Sequence, residues 1–150
     1  MDWRPVETEF WGDGGALLDI NVLDTDLEDW QLVLNHLRHS YAPLDFQVDG
    51  NVSSLPASVH DVFALHESAN TMLSFDVARI RMNCFFFAAH EIDFDLLAED
   101  LHSQAHLEAV LSFISTLGRL TRKVVVLTPE GAADAPILHF DPASDAVVYT

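Results

Sequence analysis

The stretch from Leu73 to Leu97 most constrains the fold, because its apolar and polar side chains alternate. A period of two predicts β-strands, and a break before Glu91 divides the stretch into strands that fold back on each other. We therefore expect a sheet with one apolar face toward the core and one polar face toward solvent. The apolar residues that carry this pattern are Ile80, Met82, Cys84, Phe86, Ile92, Phe94 and Leu96.

The register of this hairpin follows from which residues must share a face. For the even-numbered residues of both strands to face one core, opposed residues must have numbers that sum to an even value. A three-residue loop, Ala88-Ala89-His90, meets that condition, whereas a two-residue loop does not. The polar face would then hold Arg79 and Arg81 beside the acids of the next strand, so we expect ion pairs and lowered carboxyl pKa values there.

The alternation changes phase near the start of the stretch. Apolar residues are odd-numbered from Leu73 to Val77 and even-numbered from Ile80 onward. Either a β-bulge near Ala78 or Arg79, or a short turn between two strands, would produce the change.

Two main helices are predicted from apolar residues at helical intervals. Thr25 and Glu28 have the spacing of a capping box for the first helix, which continues to Ser40. The second helix runs from about Ser103 to Leu117, with Gly118 as its C-terminal cap. A shorter helix is predicted to end near residue 65.

Further strands are predicted before, between and after these helices. The continuous apolar run at 124–127 is typical of a strand covered on both faces, which implies a central position in the sheet. The other predicted strands are 18–22, 44–48, 51–55, 137–140 and 146–149.

The order of these elements predicts a single α+β domain over residues 16–150. Two main helices would pack on a mixed, mainly antiparallel sheet, and their similar settings are consistent with a duplicated β-α-β-β unit. Residues 1–15 combine Trp3, Phe10 and Trp11 with three glycines, which predicts an N-terminal segment that is either flexible or docked on the domain.

Charge and composition restrict the partners and the compartment. The chain has 24 acidic and 7 basic residues and a formal net charge of -17, which disfavours nucleic acid. The longest apolar run is too short to cross a bilayer, so we expect no membrane association. The single cysteine, Cys84, lies within an apolar strand and is expected to be a buried filler in the reducing cytoplasm.

No catalytic or cofactor motif occurs in the sequence, which favours neither an enzyme nor a bound cofactor. The best metal candidate is His102 with His106, four residues apart near a helix start, with Glu99 or Asp100 as a further ligand. The glutamate of a zinc-protease motif is replaced by Ser103.

The strong negative charge and the absence of a catalytic or cofactor motif favour a small protein-binding protein. We expect it to engage a basic protein partner in the manner of an inhibitor or immunity protein. The predicted surface consists of Glu91, Asp93, Asp95, Glu99 and Asp100. Two alternatives stay open: a metal-binding domain or small enzyme that uses His102 and His106, and a homodimeric structural subunit joined through the N-terminal segment or an edge strand.

Overall fold

A single antiparallel sheet forms the framework of the computed structural model, which describes residues 17–130 and 134–149. Across the sheet the strands follow the order β3-β2-β4-β5-β6-β1-β7-β8-β9. In chain order they are β1 Leu17–Leu23, β2 Asp45–Val48, β3 Asn51–Val52, β4 Thr71–Val77, β5 Ile80–Ala88, β6 Glu91–Leu97, β7 Val125–Pro129, β8 Leu138–Asp141 and β9 Ala146–Tyr149.

Three α-helices of the described residues complete an α+β domain: α1 Leu27–Ser40, α2 Val59–His66 and α3 Gln104–Thr121. Their buried apolar residues and one face of the sheet form one core. The even-numbered residues at 18–22 of β1, 80–86 of β5 and 92–96 of β6 belong to that core, whereas the residues between them lie on the opposite face. No described helix is long and apolar enough to cross a bilayer.

The strand pairing corrects one expectation about the sheet and does not confirm another. Every described pair is antiparallel, so the sheet is not mixed. A duplicated β-α-β-β unit is not confirmed, because three strands separate β1 from β2 whereas only β1 separates β6 from β7. Predictions for residues 1–15 lie outside the described residues.

The phase change is a two-residue turn between β4 and β5. Ala78 and Arg79 have φ angles of 50° and 69°, and Val77 lies opposite Ile80. Such a turn puts odd-numbered residues of one strand on the same face as even-numbered residues of the next. The turn interpretation is therefore correct, and the bulge is wrong at this position.

The hairpin of β5 and β6 has the predicted facing but a different loop. Cys84 lies opposite Phe94, which gives the expected even sum, yet Ala88 pairs with Glu91 across a two-residue turn. A register shift between Phe85 and Ala88 reconciles the two pairings. The predicted three-residue loop is thus wrong, because a bulge in β5 supplies the extra residue.

Hydrogen bonds from residues at the start of helix α1 hold the β5–β6 turn against the helix. The Thr25 hydroxyl donates to the Ala89 carbonyl oxygen at 2.7 Å, and the Trp30 indole N–H donates to that of Ala88 at 3.1 Å. With Thr25 engaged there, the capping box falls one residue later than predicted. Asp26 is the N-cap, and it exchanges hydrogen bonds with Asp29.

Two more expectations fail for packing reasons. Gly118 is not a cap but a buried residue within α3, which continues to Thr121 and is capped by Arg122 at φ 60°. Strand β7 lies inside the sheet between β1 and β8, but Val126 is only half-buried on the face away from the core. The apolar run therefore does not mark a strand covered on both faces.

Candidate functional site

The sheet face opposite the core brings acidic residues of three strands together. Asp95 of β6 lies opposite Asn83 of β5 on one side and opposite Asp19 of β1 on the other. One row along, Asp93 lies between Phe85 and Asn21. Opposed residues share a face with Cβ atoms about 5 Å apart, so Asp19, Asp93 and Asp95 form one cluster.

A depression of about 520 Å³ lies over this cluster. None of the described residues that line it is Lys or Arg, and two aromatic rings, Phe85 and Phe87, form part of its wall. We call this region the acidic depression; its carboxylates are Asp19, Glu91, Asp93, Asp95 and Glu130.

Amides hold two of the carboxylates in place. Asn21 donates to Glu91 at 2.6 Å, and Asn83 donates to Asp95 at 3.0 Å. The Ser74 hydroxyl in turn donates to Asn83 at 2.7 Å, which fixes the amide with its N–H groups toward Asp95. Neutral donors therefore orient the acids without cancelling their charge.

Burial and crowding disfavour the ionised form of two aspartates. Burial raises the pKa of Asp93 to about 7, with further repulsion from Glu91 and Asp19. Burial likewise raises the pKa of Asp19 to about 6, with repulsion from Asp95, Glu130 and Glu91. A cation placed in the acidic depression would relieve this repulsion and favour ionisation.

The arginines do not pair with these acids, which overturns the expected ion pairs and lowered pKa values. Because the turn at 78–79 folds β4 against β5, Arg81 lies opposite Asp76. Arg81 contacts Asp76 at 3.5 Å and Asp45 at 3.1 Å. Arg81 is thus engaged on the β4 side of β5, and the acids lie on the other side.

The structure brings together three of the five acids of the predicted surface. Glu91, Asp93 and Asp95 line the acidic depression, whereas Glu99 and Asp100 do not. Those two lie in a short 3-10 helix, Ala98–Asp100, beyond the end of β6 that is remote from Glu91. The five acids of the predicted surface therefore do not form one cluster.

Sequence reasoning missed several other residues that line the depression, among them Asp19, Asn21, Phe85, Phe87 and Glu130. Asp19 and Asn21 showed a polar strand face, but nothing local indicated that β1 pairs with β6. Phe85 and Phe87 gave a usable signal, since both are large apolar residues at positions where the alternation requires polar ones.

The two histidines are adjacent, but no described side chain joins them as a third metal ligand. The rings of His102 and His106 are 4.4 Å apart between centroids, and the His102 backbone N–H donates to His106 Nδ1 at 3.4 Å. Within 17–130 and 134–149, no group of three or more His, Cys, Asp or Glu side chains could hold a metal ion. Neither Glu99 nor Asp100 therefore completes a metal site with this pair.

Cys84 occupies the core as expected. It is 1% exposed, and burial raises the pKa of its thiol well above the usual range. His90, the only histidine close in sequence, is exposed in the β5–β6 turn. Such a thiol packs as a small apolar group and does not act as a nucleophile.

Comparison with known proteins gives one informative likeness. No protein-family model and no curated protein matches this sequence. A similar fold occurs in a chain from the crystal structure of the toxic C-terminal tip of CdiA from Pseudomonas aeruginosa in complex with an immune protein. The match has a TM-score of 0.53 and 9% sequence identity, and it covers 83% of this chain and 94% of that chain. At this identity the likeness shows a shared α+β fold.

Proposed function

We propose that this chain is an immunity-like protein that binds a basic protein partner through the acidic depression. The main observation behind this proposal is a cluster of carboxylates in a depression whose described lining contains no Lys or Arg. The carboxylates are Asp19, Glu91, Asp93, Asp95 and Glu130. The likeness to a chain from a complex of a toxin with an immune protein supports this class of function.

The electrostatics of the surface suit a partner that brings positive charge. The formal net charge of -17 attracts basic proteins over long range and speeds their encounter with this chain. At the surface itself, a Lys or Arg side chain of the partner replaces carboxylate repulsion with attraction. An ion pair with a half-buried carboxylate contributes more binding free energy than one with a fully exposed carboxylate, because water screens the half-buried charge less.

Affinity capture from the source cell's lysate tests the proposal. Three immobilised forms are compared: wild type, Asp19→Asn/Asp93→Asn, and the control Glu99→Gln/Asp100→Asn. Each variant replaces two carboxyl groups with amides, but only the first does so in the acidic depression. We expect wild type and control to retain the same basic protein at about 50 mM salt and to release most of it at about 300 mM.

The first variant should retain several-fold less of that protein. Equal retention by wild type and Asp19→Asn/Asp93→Asn would contradict the proposed surface. Retention of no basic protein, or retention that ignores ionic strength, would contradict the proposed class of partner.

A further inference from the structure

A second depression adjoins the acidic one across the rings of Phe85 and Phe87. It measures about 350 Å³, and its lining, which includes Met72, Thr71 and His66, is mostly carbon. Both phenyl rings line both depressions, so they form a wall between an acidic side and an apolar side. We call the second region the apolar depression.

The two rings of the wall stack on each other and are partly open to solvent. The rings of Phe85 and Phe87 stack with centroids 5.3 Å apart and planes within 3°. Phe87 is nevertheless 65% exposed, the highest value among the described aromatic residues that are exposed. A large apolar side chain held in place but left in water marks a surface that gains stability when a partner covers it.

The strand register gives the spacing of the two depressions. Met72 of β4, Phe85 of β5 and Asp93 of β6 lie in one row across the sheet, each opposite the next. Neighbouring strands are about 4.8 Å apart, so Met72 and Asp93 are about 10 Å apart across the row. Any partner that reaches both must present two groups with about that separation.

We infer that the partner carries a two-part determinant: a basic side chain for the acidic depression and, about 10 Å away, an apolar side chain that packs on Met72 and Phe87. The inference rests on the proposed function and adds to it the chemistry and spacing of the partner's contact groups. The carboxylates supply the charge complementarity, and the phenyl wall supplies the apolar contact.

Titrations followed by amide nitrogen-proton NMR test the inference with small probes. The probes are N-acetyl-arginine amide, its neutral isostere N-acetyl-citrulline amide, N-acetyl-leucine amide, and an arginine and leucine joined by a spacer of about 10 Å. We expect the arginine probe, but not citrulline, to shift the signals of Asp19, Asp93 and Asp95. The leucine probe should shift those of Met72 and Phe87.

The linked probe should bind at least about tenfold more tightly than the arginine probe, because its second contact is intramolecular. Met72→Thr, at a residue that lines the apolar depression but not the acidic one, should remove the gain from linking and leave arginine binding unchanged. Asp93→Asn should weaken the arginine probe and leave the leucine probe unchanged.

The outcomes separate the two proposals. If the arginine probe shifts the acidic residues but leucine does not shift Met72 and linking gives no gain, the two-part determinant is wrong and the acidic surface stands. If neither arginine nor the linked probe shifts the acidic residues, both proposals fail.

Discussion

Asp19 of β1 lies directly opposite Asp95 of β6, so two carboxylates face each other across neighbouring antiparallel strands. Like charges in that position destabilise a strand pair. Asp93 stands two residues from Asp95 on the same face, and repulsion from Glu91 and Asp19 adds to the effect of burial on its pKa. The fold therefore keeps an unfavourable arrangement, which other contacts must offset, at the surface where we place the partner.

Replacing Asp93 should stabilise the free protein at neutral and alkaline pH. The folded-state pKa of Asp93, about 7, exceeds the ordinary value of 3.8, so the folded protein binds more protons than the unfolded chain between these values. The contribution of Asp93 to stability is fully present below about pH 4 and is lost as the pH rises toward 7. Asp93→Asn avoids that loss.

The gain in unfolding free energy for Asp93→Asn should be near zero at pH 4 and reach about 1 to 2 kcal/mol above pH 7, after allowance for solvent screening. Urea denaturation at a series of pH values measures it. Glu99→Gln, which removes a charge outside the acidic depression, should show no such rise. A gain for Asp93→Asn that does not change with pH would show that the cost of holding an ionised carboxylate there, through burial and repulsion, is not the cause.

The β4–β5 turn should become more stable with residues that adopt positive φ. Ala78 and Arg79 have φ angles of 50° and 69°, which cost roughly 1 to 2 kcal/mol per residue for side chains other than Gly, Asn and Asp. Ala78→Asn/Arg79→Gly gives the preferred two-residue turn and should raise the unfolding free energy by about 1 to 2 kcal/mol.

Gly50 provides the converse control for the turn prediction. It has φ 81°, and a Cβ added there would meet no heavy atom within 4 Å, so Gly50→Ala tests backbone conformation alone. We expect this substitution to lower the unfolding free energy by about 1 kcal/mol. If Ala78→Asn/Arg79→Gly leaves the denaturation midpoint unchanged while Gly50→Ala lowers it, contacts of the native turn residues offset their backbone cost.

Local patterns predicted the local hairpins but could not predict where β1 inserts. The phase change between Val77 and Ile80 was visible because it reflects a turn of two residues. Leu17 pairs with Leu97, 80 positions away, and no period or turn signal specifies such a pairing. The sheet order depends on which apolar faces can be buried together, and that is decided by the whole core.

The same limit explains the partial success at the site. Asp93 and Asp95 were predicted on one face because two residues along a strand share a face. Glu99 and Asp100 were included in the predicted surface because they are close in sequence to Asp95. Strand β6 ends at Leu97, however, so these two residues do not continue its row of acids. Asp19 and Glu130 were missed because they reach the acidic depression only through pairing of β1 with its neighbours.

Gly118 should be intolerant of a side chain. A Cβ there would lie 2.0 Å from Cδ1 of Phe140, and the Phe140 ring is buried in the core. Overpacking of this kind costs about 1 to 3 kcal/mol, which exceeds the gain of about 1 kcal/mol from replacing a helical glycine by alanine. Gly118→Ala should therefore lower the denaturation midpoint.

A second substitution identifies the cause. Phe140→Leu makes room beside residue 118, so Gly118→Ala should cost less in that background than in wild type. Ser112→Ala, at an exposed position of α3, should change the unfolding free energy by less than about 0.5 kcal/mol. Additive effects of Gly118→Ala and Phe140→Leu would mean that the Phe140 ring is not the obstacle.

The Cys84 thiol should report on global opening of the domain. It is 1% exposed at the centre of β5, and it is the only cysteine in the chain. A disulfide reagent such as dithionitrobenzoate at pH 8 can react only with molecules in which β5 has separated from the core. We expect native protein to react at least about a thousandfold more slowly than the urea-unfolded chain, in line with the small unfolded fraction of a stable domain.

The rate should also follow stability. When opening and closing are fast relative to modification, each 1.4 kcal/mol lost by a variant raises the reactive fraction about tenfold. Gly118→Ala should therefore accelerate the reaction of Cys84, and Ala78→Asn/Arg79→Gly should slow it, although neither changes the surroundings of the thiol directly. A rate that is the same in all three proteins would show that Cys84 is reached through a local opening of β5, and a rate close to that of the unfolded chain would contradict its burial.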